Sequence, residues 1–74
     1  MKYIRNDKAL KKLGKRIRFL RKEQNISQSQ LSFEANVRIN QIGRIERGEI
    51  NTSVSTIVAI ADALNVKAKD LFDF

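Results

Sequence analysis

Arg38, Asn40, Gln41 and Arg44 stand close together in a segment whose apolar members are Val37, Ile42 and Ile45. At a helical period the apolar residues turn inward and the polar ones outward. A guanidinium fork donates two parallel hydrogen bonds and matches guanine O6 and N7. A side-chain amide donates and accepts at once and matches adenine N6 and N7. Ile39 suits a thymine methyl, and equally a partner surface or simple exposure. These five residues are equipped to read base edges, and the plainer alternative is a solvated helix face. Catalysis is not equipped. The chain holds no histidine and no cysteine, so the commonest general base and the commonest metal ligands are missing. Asp62, Asp70 and Asp73 lack a base partner or a glycine-rich phosphate loop. No enzyme activity, metal or cofactor is expected.

Side chains that read bases need a rigid mount. The run Ser27–Gly48, SQSQLSFEANVRINQIGRIERG, supplies one. Ser27 and Gln30 form a capping-box pattern. Leu31 and Ala35 share a face. Asn36 tolerates the left-handed backbone of a sharp turn. Gly48 fits a helix stop. The spacing predicts two helices across a turn over about 27–47, a helix-turn-helix whose second helix enters a DNA major groove.

The flanks read as helix too. Asp7 is expected to cap a first helix running to about Gln24, with the stripe Leu10, Leu13, Ile17 and Leu20. Gly14 interrupts that stripe at a propensity loss of about 1 kcal/mol, so firm helix is expected to begin nearer Gly14. Asn25 ends it and Ile26 anchors the connection. Ser53 caps a fourth helix with an inward face of Val54, Ile57, Ile60, Ala61 and Leu64, stopped by Asn65. Val66 reaches back to the core, and a fifth short helix covers about Lys67–Phe72. Residues 1–6 read as a loose basic arm. The expectation is an all-α, compact five-helix fold forming one domain over residues 1–74.

Charge is lopsided. The net charge of the chain is +7. Residues 1–24 hold ten Lys and Arg against Asp7 and Glu23, a net +8, and the remaining residues net −1. A polyanionic partner is implied on the N-terminal side, against the plainer reading of lysines solvating a helix. No apolar run approaches the roughly 20 residues of a membrane span, so no membrane partner and a cytoplasmic location are expected.

Three stretches carry a family resemblance: LGKRIRFLRKEQNISQSQLS, IGRIERGEINTS and IVAIADALNVKAKDLF. Together and in this order they resemble the lambda-repressor-like (Cro/XRE-type) helix-turn-helix family of bacterial and phage transcriptional regulators. The short format is similar to Cro-type repressors, restriction–modification controller proteins and small antitoxin-like regulators. The resemblance implies that Gln28 touches a phosphate and braces the recognition helix. It also implies that Arg21 pairs with Glu46 behind that helix. Arg38, Ile39 and Thr52 depart from the family's usual residues, which leaves the fold intact and the operator sequence open. Phe33 lies opposite the core face of its helix, either covering the first helix or exposed.

Further phosphate contacts are expected at Arg47, Asn51 and Ser53, just after the recognition helix, and at Arg16 and Lys15 on the first helix. The reading is a sequence-specific regulator, repressor or autoregulator, on double-stranded DNA. One recognition helix reads few base pairs, so a homodimer on a palindromic operator is expected, joined through the C-terminal helices. The alternatives are an antitoxin-like or adaptor module and a non-specific nucleic-acid binder. A pure interaction module would not need Arg, Asn and Gln together on the outward face of one helix.

Overall fold

Four helices end in the same way. Asn25, Asn36, Gly48 and Asn65 take the left-handed backbone, with φ of 57°, 56°, 71° and 56°. The residue after each returns its N–H to a carbonyl five positions back: Ile26 to Arg21, Val37 to Ser32, Glu49 to Arg44 and Val66 to Ala61. This satisfies carbonyls that a helix end leaves open and turns the chain sharply. The computed structural model describes residues 4–74. Its helices are α1 (Asp7–Glu23), α2 (Gln28–Ala35), α3 (Ile39–Glu46) and α4 (Val54–Ala63), followed by a 3₁₀ helix, Ala68–Phe72.

The all-α expectation holds, with one correction to the count. The fifth segment is 3₁₀ and not α, anchored by the Lys67 N–H donating to Asp70 Oδ2 at 2.9 Å. In five residues the tighter i→i+3 pattern competes well with the α pattern. Ser27 and Ser53 cap α2 and α4 as expected, accepting from the N–H groups of Gln30 and Thr56. The cap of α1 is Asn6 and not Asp7: its side chain accepts from the Ala9 N–H at 2.9 Å, and Asp7 is the first helical residue.

Helix α1 is whole from Asp7, and Gly14 is not a weak point in it. A Cβ at Gly14 would strike the Ile45 carbonyl oxygen and lie 2.5 Å from that of Glu46. Glycine is there because the α3 backbone passes directly against α1. Gly48 repeats the device, since a Cβ there would lie 2.7 Å from Lys11 Cα. The two glycines let the end of α3 settle onto α1.

The core joins Leu13, Ile17 and Leu20 of α1 to Leu31, Ala35, Ile42 and Ile45 of the helix-turn-helix. Ile57, Ile60, Ala61 and Leu64 close it from α4, with Leu71 from the 3₁₀ helix. Each fully buried Leu or Ile contributes about 1.5–3 kcal/mol. Val54 was expected inward and is 80 % exposed, because it opens α4 beside the cap. In the described part of the expected arm, Arg5 Nη2 donates to the Glu49 carbonyl at 2.9 Å and Asn51 Nδ2 to that of Ile4 at 3.3 Å. The rest of the expected arm, residues 1–3, lies outside the described residues.

Candidate nucleic-acid interface

Helix α3 turns Ile42, Ile45 and Glu46 inward. Asn40, Arg44 and Arg47 follow at i, i+4 and i+7, so they share the opposite face, and all three are exposed. Gln41 is half-buried on the shoulder of this stripe. Arg38 sits at the N-cap of α3, exposed and without a capping hydrogen bond of its side chain. Ile39 leads the helix and is exposed. The structure therefore gathers Arg38, Ile39, Asn40, Gln41, Arg44 and Arg47 at one helix, with amide and guanidinium groups outward.

Behind that surface lies a buried ion pair. Arg21 Nε donates to Glu46 Oε2 at 2.7 Å and Arg21 Nη2 to Oε1 at 3.0 Å. Arg21 Nη1 also donates to the Ile26 carbonyl at 2.9 Å. The Glu46 hydrogen bond holds the Arg21 guanidinium above its ordinary pKa against the opposing effect of burial. Gln28, at the first position of α2, donates its amide to Glu46 Oε1 at 3.1 Å. One carboxylate at the end of α3 thus ties α1, α2 and the α1–α2 connection together. The pair was implied by the resemblance, and its geometry is bidentate, the form that fixes orientation most firmly.

The proposed phosphate ligands divide into two groups. Gln28 and Arg47 border a cleft of about 220 Å³ together with Arg18 and the Arg21–Glu46 pair. Arg18 was missed in the sequence. Its signal is positional: Lys11, Lys15 and Arg18 follow at i, i+4 and i+7 and form a basic line along α1. Lys15 is exposed on that line. Arg16 is not on it. Its Nε donates to the Asp70 carbonyl at 2.9 Å, its Nη2 lies 3.7 Å from Asp73, and its guanidinium covers the Phe19 ring. Arg16 thus faces the 3₁₀ helix, away from α3. The Ser53 hydroxyl is engaged in capping α4, and the Asn51 amide in holding Ile4.

Glu49 was also missed. Arg47 Nε donates to its Oε2 at 2.7 Å, and Arg44 Nε lies 3.8 Å from its Oε1. The hydrogen bond from Arg47 lowers the Glu49 carboxyl pKa below the ordinary range, helped by the charges of Arg47, Arg44 and Lys11. The same hydrogen bond raises Arg47.

Comparison with known proteins agrees with this fold. A family described as helix-turn-helix matches residues 17–71. Control protein C.BamHI of Bacillus amyloliquefaciens is 42% identical over 62 residues, 82% of this chain and 76% of that protein. The immunity repressor protein of Bacillus phage phi105 is 40% identical over 55 residues, 74% of this chain but 38% of the repressor. The restriction-modification controller protein C.AhdI from Aeromonas hydrophila superposes with a TM-score of 0.84 at 36% identity, covering 85% of this chain and 96% of that one.

Proposed function

The chain belongs to the helix-turn-helix family, and on that premise we propose that it reads operator DNA through the outward face of α3. It is a DNA-binding transcription regulator. The observation that carries the reading is the exposed stripe Asn40, Arg44 and Arg47, backed by the buried Arg21–Glu46–Gln28 lock. The lock holds the helix at a set angle while Asn40 and Arg44 present donors and acceptors to base edges and Arg47 lies toward the phosphates. Arg38, Ile39 and Gln41 extend the base-reading set. Lys15, Gln28, Asn51, Ser53 and Arg47 supply phosphate contacts, joined by Arg18, and position the protein without specifying sequence. Arg16, turned toward the 3₁₀ helix, contributes only if its bonds to Asp70 and Asp73 open.

The protein acts by occupying DNA and not by chemistry, as a repressor or autoregulator in the cytoplasm. Among the described residues no helix is long and apolar enough to cross a membrane. Its working form is a homodimer on a two-fold operator, with residues 1–74 as one domain. The proposed dimer surface is an apolar groove of about 290 Å³ bordered by Leu10, Val54, Val58, Ala68, Phe72 and Phe74. Selection of bound sequences from random duplex DNA tests the reading. A recovered two-fold motif is expected, and recovery of no motif would overturn it.

A further inference from the structure

Three of the four left-handed helix ends are followed by an aliphatic residue that packs on the core: Ile26, Val37 and Val66. Such a contact usually accompanies this kind of helix stop. The end of α3 departs from that pattern. There the equivalent residue is Glu49, which is exposed, and Ile50 takes the packing role one position later. Glu49's own N–H donates to the Arg44 carbonyl at 2.9 Å, which sets its backbone beside the end of α3. The carboxylate is thereby placed against Arg44 Nε and Arg47 Nε, at 3.8 and 2.7 Å.

We propose that Glu49 is a specificity-determining positioning residue, which aims Arg44 at base edges and penalises contact with arbitrary phosphate. This rests on the reading of α3 as the DNA-facing helix. The Glu49 carboxylate accepts from both Nε and Nη2 of Arg47, at 2.7 and 3.4 Å, whereas it faces only the Nε edge of Arg44 as an ion pair at 3.8 Å, so both Arg44 Nη groups stay free for a two-point contact with guanine. The attraction biases the Arg44 side chain toward that position in advance, which trims the rotamer freedom otherwise lost on binding. Phosphate contact needs no such aim, because it is mainly electrostatic and tolerant of geometry. There the same carboxylate only repels the polyanion and competes for Arg47. Glu49 therefore favours the operator complex and disfavours the random one.

The test compares the wild type with Glu49→Gln, which keeps the shape and removes the charge. Glu49 is exposed, and a thermal melt verifies that the variant remains folded. Affinities are measured on the selected operator and on a random duplex of equal length. The expected result is weaker operator binding and stronger random binding, with the ratio between them falling roughly two- to tenfold. In an Arg44→Ala background the operator loss should vanish, leaving only the gain on random duplex. If Glu49→Gln raises both affinities equally, Glu49 is merely a like charge near DNA and the inference is overturned. A wild type that selects no motif overturns the DNA reading itself and this inference with it. A wild type that selects a motif, with an unchanged ratio in the variant, overturns this inference alone.

Discussion

The Gln28 amide donates to Oε1 of Glu46, the same oxygen that receives Arg21 Nη2, at 3.1 and 3.0 Å. Gln28 thus serves the architecture through a buried carboxylate while sitting at the start of α2, where open backbone N–H groups favour phosphate. The resemblance assigns it both bracing and phosphate contact, and the hydrogen bond gives the bracing a physical form.

This lock makes Arg21→Met a test of orientation. Removing one partner of a buried pair leaves an uncompensated charge, at roughly 3–5 kcal/mol when burial is complete. Gln28 still donates to Glu46, so the lower end is expected. For a domain of this size that is a fall in Tm of more than about 10 °C. Operator affinity should fall with it, because α3 loses its anchor. The double variant Arg21→Met, Glu46→Leu should melt higher than Arg21→Met alone, since neither charge is then stranded. Thermal unfolding of the three proteins is the measurement, and an unchanged Tm for the single variant would show that the pair does not hold α3.

Gly14→Ala sets helix propensity against packing. Propensity alone promises a gain of about 1 kcal/mol. The new methyl would meet the Ile45 and Glu46 carbonyls, which are backbone and cannot rotate away. Overpacking of this kind costs about 1–3 kcal/mol, so the net effect should be a lower Tm. Gly43→Ala is the control. Its nearest neighbour is Arg47 Nη1 at 3.1 Å, the end of a flexible chain, so there the propensity gain should appear as an equal or higher Tm.

The sequence displayed what is local. Ser27 and Ser53 announced their helices, because a hydroxyl three residues before a free N–H needs no tertiary context. The stripes on α1 and α4 announced the core. What stayed hidden depends on distance along the chain. Gly14 looked like a flaw until α3 was seen pressing on it. Arg16 was expected at phosphate, and its bond to a carbonyl 54 positions away could not be read locally. Asn6 and Asp7 are adjacent acceptors, and only backbone angles decide between them. Glu49 carried no local signal, since only the repeated geometry of four helix ends shows that it stands where an aliphatic residue belongs.

Arg44→Ala should weaken operator binding by about 1–3 kcal/mol and relax preference at one or two base pairs. Its place in the middle of the exposed stripe is the reason. Titrations on the operator and on random duplex decide the matter. Equal losses on both would assign Arg44 to phosphate.

Affinity should fall steeply with salt. Each neutralised phosphate contributes about −0.9 to the slope of log affinity against log salt. Five to eight contacts per dimer, drawn from the basic line of α1 and from Arg47, give a slope of roughly −4 to −7. A nearly flat titration series would remove α1 from the interface.

The dimer prediction rests on the C-terminal aromatics. Leu71 is fully buried, whereas Phe72 and Phe74 are 52 % and 55 % exposed, with ring centroids 6.3 Å apart. They border the same groove as Val54 and Val58, which are also exposed. Two aromatics and two valines on one face form a contiguous apolar patch, and such patches mark association surfaces. A second copy related by a two-fold axis would place patch against patch and present two α3 helices on one side. Their half-site centres should then lie about 34–36 Å apart, one duplex turn. Phe72→Ser with Phe74→Ser should leave the core intact, because Leu71 and not these residues plugs it. The double variant is expected to sediment as a folded monomer and to bind the operator much more weakly. Sedimentation showing a monomeric wild type, or a double variant that still dimerises, would place the interface elsewhere.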